Sequence, residues 1–142
     1  MSKETEFDFM GDFQEANHGF HWEEGVLLQY TGSETVVNIP PVVVSIGDRA
    51  FAGNTTITEV HIPHTVTKIH SSTFRDCKAL VRVEIPNSVT YMGESVFNGC
   101  SSLEEITLSE SMKMIYDTVF YQCGALKKIH IPEGITYIGT EA

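Results

Sequence analysis

A chain of 142 residues has room for one compact domain. Hydrophobic residues make up 42% and charged residues 20%, the balance of a folded chain and not of a disordered one. Nine Lys and Arg against 19 Asp and Glu give a formal charge of −10, which argues against a nucleic-acid or anionic-membrane binder, since either needs a basic face. Three cysteines are too few, and odd in number, for a disulfide-built miniprotein.

The N-terminal stretch MSKETEFDFMGDFQEANHG has no basic n-region followed by an apolar core, so it does not read as a secretory leader. No apolar run approaches the ~18 residues of a spanning helix, and no membrane insertion is expected. The chain as given reads as soluble and intracellular; the alternative is that a leader has been removed. Residues 1–38 set Lys3 against eight carboxylates (Glu4, Glu6, Asp8, Asp12, Glu15, Glu23, Glu24, Glu34), while residues 39–142 carry eight basic and 11 acidic side chains. Phe7, Phe9, Met10 and Phe13 suit this acidic segment to covering an apolar surface; the plainer reading is a terminal tail.

From residue 39 onward the chain repeats every 23 residues, which governs every later reading. Phe51, Phe74, Phe97 and Phe120 share that spacing, as do Val60, Val83, Ile106 and Ile129, and Ile39, Ile62, Ile85, Leu108 and Ile131. Pro40, Pro63, Pro86 and Pro132 form a further column with Ser109 in the fourth slot, and Cys77, Cys100 and Cys123 form one with Asn54 at its head. Three more columns run through Ile57 and Leu80, Val43 and Val66, and Ile46 and Ile69.

One unit shows how the chain is shaped. In Leu80–Pro86, the Val83-Glu84-Ile85 alternation has the period of two that marks a strand with one buried face. Pro86 lacks the ladder donor and ends it. Residues 88–93 make a second short extended piece with Val89 and Met92 inward, and residues 94–100 a turn that drops Phe97 and Cys100 inside. Two short strands and a turn make one coil of a solenoid, stacked on the next at roughly 4.8 Å. No coil buries its own apolar face, so stability is a sum over neighbouring coils. A β-sandwich would not need identical residue types at identical offsets, and a helical repeat would need a 3.6-residue stripe that is absent.

The units read C-x-x-L-x-x-[VI]-x-[IL]-P-x-x-[VIM]-x-x-[IM]-x-x-x-x-F, and Cys77–Phe97 is nearly a consensus copy. This resembles the BspA-like (Treponema pallidum type) leucine-rich repeats over about residues 34–142. The resemblance implies a mostly β, short right-handed leucine-rich-repeat solenoid of about five 23-residue coils with an N-terminal cap. Residues 1–33 are then the acidic segment and cap, with a hairpin of Phe20–Trp22 and Val26–Tyr30 turning at Glu23-Glu24-Gly25. Residues 34–142 are the solenoid, its last coil incomplete. It also implies a cell-surface or secreted binding protein of the adhesion type.

Candidate chemistry is sparse. The stacked cysteines read as buried free thiols acting as small hydrophobes, and no C-x-x-C pair marks a zinc site. His61 and His130 share an outward column but stand three coils apart, roughly 14 Å, too far for one metal; His18 and His21 are a weak pair. No nucleophile motif, phosphate loop or cofactor signature occurs, so no enzyme activity, cofactor or metal is expected. The column Glu59, Arg82, Glu105, Lys128 alternates in sign and suits ladder ion pairs that fix coil register. The candidate partner-binding residues are the outward positions of the principal sheet: Glu59, His61, Arg82, Glu84, Glu105, Thr107, Lys128 and His130. A secondary patch is Tyr91, Met114 and Tyr137. The plain alternative is that these are solvated strand residues.

The last unit stops short of its Phe, leaving Ile129, Ile131, Ile135 and Ile138 in a coil without a cap. The array is therefore expected either to continue in a longer chain or to form an end-to-end homodimer through this coil. The function expected is non-catalytic recognition of a protein partner; the alternatives are a carbohydrate-binding accessory module using the tyrosine row, or a structural spacer in a longer repeat protein.

Overall fold

The computed structural model describes residues 19–142; the acidic residues 1–18 and His18 lie outside the described residues. Eleven short strands form in chain order: β1 (Phe20–Glu23), β2 (Val26–Tyr30), β3 (Val36–Asn38), β4 (Ser45–Ile46), β5 (Glu59–His61), β6 (Lys68–Ile69), β7 (Arg82–Glu84), β8 (Tyr91–Met92), β9 (Glu105–Thr107), β10 (Met114–Ile115) and β11 (Tyr137–Ile138). No helix occurs among the described residues. The chain is a solenoid of about five coils. One parallel sheet runs β3-β5-β7-β9, and a second side carries β1-β2-β4-β6-β8 and the pair β10-β11.

The sequence period is the sheet register. Val37, Val60, Val83 and Ile106 are paired neighbours, and so are Ile46, Ile69 and Met92. Each three-residue strand of the principal sheet buries only its middle side chain, as its out-in-out pattern requires. Ahead of the array, β1 and β2 form an antiparallel hairpin with a register irregularity at His21/Trp22, and β2 pairs in parallel with β4. The turn places Glu24 at φ 51° and Gly25 at φ 80°, the two positive values of a tight hairpin turn.

The corners carry their own ladder. Phe51 N–H donates to Thr73 O at 2.9 Å, Phe74 to Val96 O at 2.9 Å, Phe97 to Val119 O at 3.0 Å and Phe120 to Ala142 O at 3.0 Å. Each corner bends through two left-handed residues that themselves repeat every 23 positions. Arg49, Ser72, Ser95, Thr118 and Glu141 form one set; Gly53, Asp76, Gly99 and Gln122 form the other.

The phenylalanine rings stack down the axis. Centroids lie 5.0 Å apart for Phe51–Phe74, 5.4 Å for Phe74–Phe97 and 5.9 Å for Phe97–Phe120, with interplanar angles of 13°, 3° and 1°. Tyr30 and Phe20 extend this spine into the hairpin at 5.4 Å and 4.8 Å. The cysteines form a second column. All three are free thiols, and each donates to the carbonyl of a Phe one coil back: Cys77 to Phe51 O at 3.1 Å, Cys100 to Phe74 O at 3.0 Å, Cys123 to Phe97 O at 3.1 Å. Burial pushes the Cys77 thiol up to about 12 and Cys123 to about 11, and raises Cys100 as well. Where the columns change residue, the replacement is hydrogen-bonded. Asn54 Oδ1 accepts from Thr56 N and Ile57 N at 2.9 and 2.8 Å. Buried Ser109 donates to Val89 O at 2.6 Å and accepts from Ser111 N at 3.0 Å.

The fifth coil departs from the pattern on one side only. Its second strand pairs normally, with Met114 opposite Tyr137 and Ile115 opposite Ile138. Residues 128–130, however, form no strand, and β9 is the edge of the principal sheet. The expected continuation of that sheet through Lys128 and His130 is therefore corrected: this rung is flanked by a coil on one side only and peels away from β9.

Candidate recognition face

The outer side of β3-β5-β7-β9 presents two parallel columns because residues one coil apart are register partners. One runs Val36, Glu59, Arg82, Glu105 and the other Asn38, His61, Glu84, Thr107. In the first, Arg82 is clamped between two carboxylates. Its Nε donates to Glu105 Oε1 at 2.9 Å, a second guanidinium nitrogen bonds the same oxygen, and Nη1 stands 3.9 Å from Glu59 Oε1. Glu59 Oε2 also meets His61 Nε2 at 2.9 Å. The side chains remain about half exposed, so such pairs fix side-chain positions more than they stabilise the fold.

Six of the eight predicted face residues thus stand together: Glu59, His61, Arg82, Glu84, Glu105 and Thr107. Lys128 and His130 do not join them. Lys128 forms no ion pair among the described residues, and His130 Nε2 turns to Glu110 Oε2 at 3.6 Å. A groove of about 290 Å³ runs along the end of the strands past His64, Glu84, Asn87 and Glu110. Asn87 Oδ1 accepts from Glu110 N at 2.9 Å, tying its two coils together. Sequence reasoning passed over His64, Asn87 and Glu110, and over Val36 and Asn38, although all of them recur at the same 23-residue spacing.

Tyr91, Met114 and Tyr137 lie on the opposite side, at the exposed positions of β8, β10 and β11, with 37%, 41% and 49% of their surface open. Two rings not foreseen join them. Tyr91 sits 5.6 Å from Tyr116 and 6.2 Å from His70. Their column reads Gly47, His70, Gly93, Tyr116, Gly139, so rings and glycines alternate. A Cβ on Gly93 would meet Ser71 N at 2.9 Å, and one on Gly139 would meet Asp117 N at 2.7 Å. Burial among these groups raises the Tyr91 phenol, helped by Tyr116, Glu94 and Asp48. Among the described residues no group of three or more His, Cys, Asp or Glu is placed to hold a metal, and no helix is long and apolar enough to cross a membrane.

Stacked parallel strands with a recurring apolar column define a leucine-rich-repeat solenoid. Residues 27–142 match the BspA type leucine-rich repeat region in six copies, and the chain belongs to that family. None of the curated proteins matches it in sequence. Among solved structures it is similar to the pneumococcal vaccine antigen PcpA, at 21% identity and a TM-score of 0.69 over 86% of this chain and 32% of that one. It is also similar to a leucine-rich repeat protein from Eubacterium ventriosum, at 21% identity and a TM-score of 0.57 over 84% of this chain and 45% of that one. The T. pallidum leucine-rich repeat protein TpLRR shares 25% identity and a TM-score of 0.54 over 87% of this chain and 51% of that one. The chain therefore spans about a third to a half of the structures it resembles.

Proposed function

We propose that this protein is a non-catalytic recognition module that binds a protein partner across the outer face of β3-β5-β7-β9, in an adhesive or scaffolding role. The observation that carries this reading is the ion-paired column Glu59–Arg82–Glu105 beside His61, Glu84 and Thr107. Side chains held in place on a rigid sheet lose little freedom on binding, which suits them to complementary charged surfaces. Membership in a leucine-rich repeat family supports it, because such stacks offer extended surfaces and not pockets. Reversing Arg82→Glu together with Glu84→Lys in the full chain should abolish capture of a bound protein, while Tyr91→Ser with Tyr137→Ser should leave it intact. The opposite pattern overturns the assignment of the face.

A second reading has its own observation. The His70–Tyr91–Tyr116 cluster with Met114 and Tyr137 makes an exposed aromatic row of the kind on which sugar rings stack. A glycan array on the full chain checks it: signal lost in the Tyr91/Tyr137 variant and kept in the Arg82/Glu84 variant would favour this carbohydrate-binding role.

A further inference from the structure

The rings on the second side of the solenoid do not stack as the phenylalanine spine does; they zigzag. Successive rungs contribute one each, His70, Tyr91, Tyr116 and Tyr137, drawn alternately from two neighbouring columns. His70 is fixed by Ser45 Oγ, 3.0 Å from its Nε2, and Tyr91 leans on the rings before and after it, at 6.2 Å and 5.6 Å. Gly93 and Gly139 stand beside Tyr91 and Tyr137, and neither has room for a Cβ, so bare backbone floors the space between the rings.

Three features of this row describe its occupant. Tyr91 and Tyr137 lie two rungs apart in one column, about 9.6 Å at the usual strand spacing. A polyproline II helix returns to the same face every three residues, about 9.3 Å, so prolines three apart fall on both rings. The phenols are donors, and burial with nearby carboxylates keeps the Tyr91 proton in place. A polyproline II strand has no internal hydrogen bonds and offers its carbonyls outward. The flank is acidic. Glu94 and Asp48 stand close enough to act on the Tyr91 phenol, and Asp117 packs against Gly139. None of these three carboxylates pairs with a cation among the described residues. Lys68, the cation of the Tyr91 column, stands a rung outside the two tyrosines. A neutral sugar chain, the second reading above, leaves all three carboxylates uncompensated, whereas a ligand with a cationic face answers them.

We infer that the row Tyr91–Tyr116–Tyr137 docks a basic proline-rich segment in the polyproline II conformation, lying along the stack with prolines three apart on Tyr91 and Tyr137 and an Arg turned to Glu94 and Asp117. The site is on the opposite side of the solenoid from the β3-β5-β7-β9 face and does not depend on it. Ligand and rings are both ordered before they meet, so docking costs little freedom.

Fluorescence anisotropy on the full chain tests this with a labelled peptide of four Pro-Pro-Arg repeats, whose period of three puts its arginines on one face and its prolines on the others. Saturable binding is expected. It should weaken about tenfold in Tyr91→Ser/Tyr137→Ser and severalfold in Glu94→Gln/Asp117→Asn, which leaves the rings in place. Glu23→Gln/Glu133→Gln, which removes two exposed carboxylates elsewhere, should bind as the parent does. Four Pro-Pro-Glu repeats should bind far more weakly than the Arg peptide. Absence of binding by the Pro-Pro-Arg peptide overturns the proposal. So does equal binding of four Gly-Gly-Arg repeats, or equal loss in both carboxylate variants, since either means charge attraction alone. Binding of cellohexaose that the tyrosine variant abolishes, with the peptide not bound, overturns it in favour of a sugar chain.

Discussion

The third and fifth coils are written in almost the same letters and meet different fates. CKALVRVEIP (77–86) and CGALKKIHIP (123–132) share their Cys, Ala, Leu, Ile and Pro positions. Yet Leu80 is fully buried while Leu126 is half-buried, and Ile85 is 1% exposed against 38% for Ile131. At the second strand Met92 is 1% exposed and Ile138 is 57%. Burial in this fold is a property of having a coil on each side, not of the residue itself, as a nearest-neighbour stack requires. A substitution in the middle of the stack should therefore cost far more than its equivalent in the fifth coil.

The sharpest test of that contrast is a pair of truncations. Phe97→Ala opens a cavity between two stacked rings and should cost about 3–5 kcal/mol, near the whole stability of a domain this size. Leu126→Ala, half-buried, should cost about 1 kcal/mol. Urea unfolding of both variants measures the difference, and equal losses would break the comparison.

Next in size is an alkaline transition. The buried thiols hold their protons more tightly in the folded state than in the unfolded chain. Their contribution is complete below the ordinary thiol value and is lost as pH rises through the folded values, about 11 for Cys123 and about 12 for Cys77. Melting temperature should be flat up to about pH 8 and fall above it. In a Cys77→Ala/Cys100→Ala/Cys123→Ala variant the alkaline fall should be shallower.

Smaller effects come from the surface. A double-mutant cycle on Arg82 and Glu105 should return a coupling of up to about 1 kcal/mol that shrinks as salt is added. Smallest is Gln122→Gly. Gln122 is exposed and left-handed at φ 61°, where Gly53 and Gly99 occupy the same column. Relieving that conformation should raise stability by about 0.5 kcal/mol in thermal unfolding, the side chain's strain outweighing the flexibility glycine adds.

Periodicity made the stack legible because a solenoid turns sequence spacing directly into spatial contact. The Phe51–Phe120 spine, the inward cysteines and the Glu59–Arg82–Glu105 ladder all follow from one number. What escaped reading did so for physical reasons. Tyr30 continues the spine but stands 21 residues before Phe51, because the hairpin reaches the stack by a different path length. The left-handed positions were hidden because Arg49, Ser72, Ser95, Thr118 and Glu141 have nothing in common except backbone shape. His70 and Tyr116 are two coils apart and separated by Gly93, so their column looked empty. The opening at Lys128 carries no local signal, for its sequence is that of a well-formed rung.

Residue-resolved native-state hydrogen exchange on the full chain tests the central claim most directly. The stacked ladder predicts slow amides recurring at 23-residue intervals: Gly47, His70 and Gly93; Phe51, Phe74 and Phe97; Val81 and Glu104. Protection should be greatest at Phe74 and Phe97, which lie between coils on both sides. A protected set with no such recurrence, or Phe74 exchanging as fast as the exposed turns, would contradict the stack.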